Sequence, residues 1–65
     1  MDPDALFNDL LLAVAQEQPE EASERAKDML NWLDMNGFTP GGGKLDRFAI
    51  RAFCNWVVRE YSPQD

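Results

Sequence analysis

Cysteine is nearly absent. Cys54 stands alone, so no internal disulfide can close. Histidine is missing altogether. One thiol without an imidazole cannot build a zinc site of the usual Cys/His kind, nor a Ser–His or Cys–His nucleophile pair. No metal site, no cofactor motif and no catalytic residue is expected, and the chain reads as a non-enzyme. Positive charge is also scarce: six Lys and Arg face twelve Asp and Glu, a net charge of −6. Bulk electrostatics therefore oppose nonspecific binding to nucleic acid or to an anionic membrane. Runs of β-branched residues are lacking, and with them any strand candidate.

Long apolar stretches are missing too. Leu10-Leu11-Leu12-Ala13-Val14-Ala15 mimics the apolar part of a secretory signal and its A-x-A cleavage site. Asp2, Asp4 and Asp9 occupy the place of the basic segment that such a signal needs. The run is also too short to span a bilayer. The reading is no membrane, a cytoplasmic location and a reduced Cys54. At 65 residues the chain has room for one small domain, 1–65. With no staple visible, oligomerisation is the remaining aid to stability.

What is present is helical periodicity. Asp2 suits an N-cap and Pro3 the first helical position, where its missing N–H costs nothing. Leu6, Phe7, Leu10, Leu11, Ala13 and Val14 share one broad face, and Leu12 points away. A first helix over 3–17 is expected to end before Gln18-Pro19. A second, over 19–36, starts at once with Pro19, Glu20 and Glu21. Its narrow apolar face holds Ala22, Ala26, Met29, Leu30 and Leu33, with Trp32 at the edge and Met35 outside it. So short a link makes the two antiparallel neighbours.

The segment Trp32–Pro40 reads as a deliberate helix stop. Gly37 is expected in the left-handed position after the last turn, with Phe38 folding back on Leu33 and Pro40 preventing the helix from resuming. Gly41-Gly42-Gly43-Lys44 then reads as a flexible tether. It lacks the preceding strand, the earlier glycine and the Ser or Thr after lysine that a phosphate-binding P-loop needs. A third helix over 44–61 is expected to be central. Its main face would be Leu45, Phe48, Ala49, Ala52, Phe53, Trp56 and Val57, with Ile50, Cys54, Val58 and Tyr61 around the side. The fold class is all-α, a compact three-helix domain.

Few side chains invite chemistry. Cys54 lies mid-helix among apolar neighbours and reads as a core or interface thiol. Glu17, Glu21, Glu24 and Asp28 form an acidic ridge opposite the apolar face, solvated and partly compensated by Arg25 and Lys27. Arg47, Arg51, Asn55 and Arg59 follow i, i+4 spacing. They could serve a recognition helix for nucleic acid, or pair with acidic neighbours. Residues 1–43 carry nine acidic and two basic side chains, whereas residues 44–65 carry three and four. Attraction between the two ends within one fold is the simplest reading of that asymmetry.

The acidic, alanine-bearing helix from Ala22 that runs into Trp-Leu-Asp and then Gly-Phe-x-Pro at Pro40 resembles a group of small uncharacterised bacterial proteins. The resemblance implies a bacterial or phage-type cytosolic protein and carries over no functional residue. The apolar excess carries the functional expectation. Leu12, Trp32, Met35, Ile50, Cys54 and Val58 are more than a minimal core needs, and contiguous exposed apolar area marks interfaces. The expectation is a protein-interaction module that binds a partner or itself, with nucleic-acid binding through the Arg47, Arg51, Asn55 and Arg59 stripe as the alternative.

Overall fold

The computed structural model describes residues 2–61, and they form three helices: α1 (Pro3–Ala15), α2 (Pro19–Asp34) and α3 (Arg47–Tyr61). The all-α three-helix class is as expected. The Asp2 carboxylate accepts the Asp4 N–H at 3.0 Å and caps α1, with Pro3 in the first turn. Pro19 opens α2. Asp46 caps α3: its carboxylate accepts the Ala49 N–H at 2.9 Å and its carbonyl accepts the Ile50 N–H at 3.0 Å. Lys44 and Leu45 therefore lie before the helix, because the chain turns at the residue whose side chain can take the free amides.

Both helix stops are six-residue Schellman turns, and neither uses glycine in the left-handed position. At the end of α1, Gln18 N–H donates to Ala13 C=O at 2.9 Å and Glu17 N–H to Val14 C=O at 3.1 Å, with Glu17 at φ 53°. At the end of α2, Gly37 N–H donates to Trp32 C=O and Asn36 N–H to Leu33 C=O, each at 3.0 Å. Asn36, at φ 63°, takes the left-handed place expected of Gly37. Asparagine tolerates it because its short polar side chain bonds locally. Both helices end two residues earlier than expected, because the closing Schellman bonds take up the residues after Ala15 and Asp34.

Shifting the stop by one residue gives Gly37 a different task. A Cβ at Gly37 would overlap the Trp32 indole, which lies flat against that backbone. The indole N–H donates to Phe38 C=O at 2.8 Å, and the Phe38 ring stands edge-on to Trp32 at 5.9 Å. Phe38 thus partners Trp32, the residue that opens the closing turn, and most of its ring is exposed. Trp32 itself is half-buried under Gly37 and Phe38 and serves as scaffolding.

The expected flexible tether is an ordered turn. Gly41, Gly42 and Gly43 have φ of 76°, 69° and 85°, a succession of left-handed torsions that other residues resist. Gly43 N–H donates to Thr39 C=O at 2.8 Å, and the buried Thr39 hydroxyl donates to Leu45 C=O at 2.7 Å. Gly41 N–H donates to an Asp4 carboxylate oxygen. That bond ties the glycine turn to the start of α1.

The core holds Leu6, Leu10 and Ala13 from α1, Ala22, Ala26, Met29 and Leu33 from α2, and Ile50, Cys54 and Val57 from α3. The central helix is α2, not α3: it packs extensively on both neighbours, while α1 and α3 touch only slightly. Phe7 and Phe53 meet edge-on across that seam, centroids 6.1 Å apart. Ala22 and Ala26, both fully buried, leave room for a neighbouring backbone to come close.

Candidate interaction surface

The third helix is turned over relative to expectation. Ile50, placed on the outer flank by its spacing, is buried at 6% exposure, and Cys54 is fully enclosed at 0%. Val58 is half-buried. Of the side expected to face the core, Val57 is buried and Phe53 half-buried as expected, but Phe48 is 77% exposed, and Leu45 and Trp56 are also exposed. Ala49 and Ala52 lie in the open as well. The physical reason is that α3 is apolar around more than half its circumference. Periodicity then leaves two arcs that could pack, and the choice falls to the groove offered by α2 and to the arginines beside it.

Those arginines do the anchoring. Arg47 donates through one guanidinium nitrogen to Leu33 C=O and through the other to Gly37 C=O, both at 2.8 Å. A cation at the C-terminus of α2 gives Leu33 C=O a second donor beside Asn36 N–H and complements the helix dipole. One turn on, Arg51 pairs with Asp34 at 3.0 Å. The two bonds fix the rotation of α3 so that Ile50 and Cys54 point inward. Of the stripe expected to contact nucleic acid, Arg47 and Arg51 are thus engaged within the fold, and Asn55 and Arg59 are exposed. The expected pairing between the basic third helix and its acidic neighbour is present in the Arg51–Asp34 bridge.

Of the other residues expected at an interface, Leu12 and Met35 are exposed and Trp32 is half-buried. Leu12 projects from α1 and Met35 from the far end of α2, so the expected six-residue surface is not one patch. Leu11 beside Leu12 on α1 and Phe38 after α2 are exposed too, but the most exposed large apolar side chain is Phe48 on α3. Phe48, Ala52 and Trp56 follow at i, i+4 and i+8 and share one face. Beside them runs an aromatic series: Trp56 stacks on Phe53 at 6.1 Å and meets Tyr61 edge-on at 5.9 Å, while Phe53 reaches Phe7 of α1. Trp56 is thereby held in place by two ring contacts while 41% of it stays exposed. Phe48 is the residue that the sequence placed wrongly and that matters most here. Its one early sign is that it shares the Arg51, Asn55 and Arg59 side of the helix.

The side chains that could carry chemistry are enclosed or already paired. Burial pushes the Cys54 thiol up to about 11, an effect that Arg51 opposes only in part, so the sulfur is protonated near neutrality and enclosed. Arg25 pairs with Glu21 at 2.6 Å and lies 3.9 Å from Asp28, which leaves the acidic ridge a solvated, salt-bridged helix face. Among the described residues no group of three or more His, Cys, Asp or Glu side chains could hold a metal ion. An open groove of about 510 Å³ lies between the glycine turn and the start of α3, lined by Phe38, Thr39, Lys44 and Arg47 among others. It does not work as a phosphate cradle, because the Gly41 and Gly43 amides are taken by Asp4 and Thr39 and Arg47 by the end of α2. No helix among the described residues is long and apolar enough to cross a membrane.

Comparison with protein-family models, with curated proteins and with solved structures finds no match to this chain. The surface must therefore be read from its own chemistry.

Proposed function

We propose that the protein is a non-enzymatic interaction module whose contact surface is the outer face of α3, formed by Phe48, Ala52 and Trp56 with Leu45 at one end and Arg59 at the other. The observation that carries this reading is Phe48: an aromatic ring 77% exposed on a helix whose opposite side is already closed against α2. Burying such a ring is worth about 1.5–3 kcal/mol, and the fold leaves that gain available for a partner. Ala52, between the two rings, lets a second backbone approach closely. The acidic residues of α1 and α2 keep the remainder of the molecule solvated. A lone, enclosed and protonated thiol fits a cytoplasmic setting.

A photo-crosslinking residue at position 48 tests this, with the same residue at exposed Lys27 on α2 as the control, in a bacterial host. Adducts that form from position 48, not from position 27, and vanish when Trp56→Asp is added support the surface. Equal yields from both positions, or none, refute it.

A further inference from the structure

Resting on that reading of the α3 face, we propose that its occupant is a second copy of this chain, docked antiparallel about a two-fold axis through Ala52. The first argument is the pattern along the helix. Phe48 and Trp56 lie equally far from Ala52, so the outer stripe reads large, small, large in both directions. A two-fold at Ala52 sets Phe48 of one copy against Trp56 of the other, twice, with the alanines facing each other at the crossing. Such self-complementarity is what an isologous dimer requires.

Charge supplies the second argument. Residues 2–43 carry nine acidic and two basic side chains, a net of −7, while residues 44–61 carry two acidic and four basic, a net of +2. Contact through α1 or α2 would bring two strongly acidic surfaces together. Contact through α3 keeps both acidic halves on the outside. The two-fold axis also holds the two copies of Arg59 about 20 Å apart, from a rise of 1.5 Å per residue. That is beyond the screening length at physiological salt.

Size sets the strength. One face of a 15-residue helix offers less than the roughly 800 Å² per partner of a standard interface. The dimer should be weak and in fast exchange, with Kd on the order of 10–100 μM.

Sedimentation velocity on the full chain from about 1 μM to 1 mM should show a rise from monomer to dimer. Ala52→Cys makes the geometry testable. Helices packed through alanine lie about 8–10 Å apart, which leaves facing Cα atoms about 4–5 Å apart, within disulfide reach. Under mild oxidation Ala52→Cys should give a covalent dimer, Asp28→Cys on the α2 ridge should not, and the enclosed Cys54 of the parent chain should stay free. Ala52 and Asp28 are exposed, so folding is not at stake. A monomer at every concentration, or Ala52→Cys crosslinking no better than Asp28→Cys, overturns the proposal. If position 48 still crosslinks to a protein of another mass, the surface stands and only the second copy is removed. If it crosslinks to nothing, the surface itself is wrong.

Discussion

Gly37 shows how one residue can be right for an unexpected reason. Its place after a helix suggests the left-handed torsion that glycine accepts, yet Asn36 holds that torsion and Gly37 does not. What glycine provides here is the missing Cβ, because the Trp32 indole occupies that space. Gly37→Ala should therefore destabilise the fold by about 1–3 kcal/mol through overpacking, although its backbone torsion suits alanine. The indole would have to leave its bond to Phe38 C=O and its contact with the Phe38 ring. Urea denaturation of a double-mutant cycle with Trp32→Ala decides the cause. With the indole gone, the cost of Gly37→Ala should fall below about 0.5 kcal/mol. An unchanged cost in that background would point to the backbone instead.

At the scale of elements, the orientation of α3 can be tested by comparing two apolar residues on its opposite sides. Phe48→Ser should leave monomer stability within about 0.5 kcal/mol, since the ring is open to water. Ile50→Ala should cost about 2–4 kcal/mol by leaving a cavity beside α2. Thermal or urea unfolding of the monomer at low concentration separates the two. Equal losses would mean that α3 is rotated from the position described. The same comparison shows what was legible in the sequence. Helix number, the Asp2 cap, the proline starts and most of the inward face of α1 follow from local rules; Leu11, expected on that face, is exposed. The face of α3 does not follow from them, because its apolar residues surround most of the helix. What selects the face is Arg47 reaching Leu33 and Gly37 C=O, 14 and 10 residues back, and such reach leaves no periodic mark. The interface residues expected on Ile50 and Cys54 failed for this reason. Once α3 is turned, the same apolar excess moves to Phe48 and Trp56, so its presence was legible and its location was not.

For the whole molecule the deciding quantity is the uneven charge. The net −6 is concentrated on α1 and α2, and like charges at this density repel across the small fold. Salt screens that repulsion. It also weakens the Arg51–Asp34 and Arg25–Glu21 pairs, but exposed pairs are worth only about 0–1 kcal/mol each. Relief of repulsion should dominate, so raising NaCl from about 10 mM to about 500 mM should raise the melting temperature, by roughly 4–8 °C for a stabilisation near 1 kcal/mol in a domain of this size. The same screening acts between copies. Two chains that each carry a net −6 still repel at long range as they approach, so salt should strengthen self-association, measured as a lower dimer Kd by sedimentation. A surface made to bind nucleic acid through Arg59 and its neighbours would respond in the opposite sense, because each phosphate contact releases counterions and weakens as salt rises. The sign of the salt dependence thus separates the two readings without a known partner. Association that strengthens with salt belongs to the apolar face of α3, and association that fades with it would return the arginine stripe to consideration.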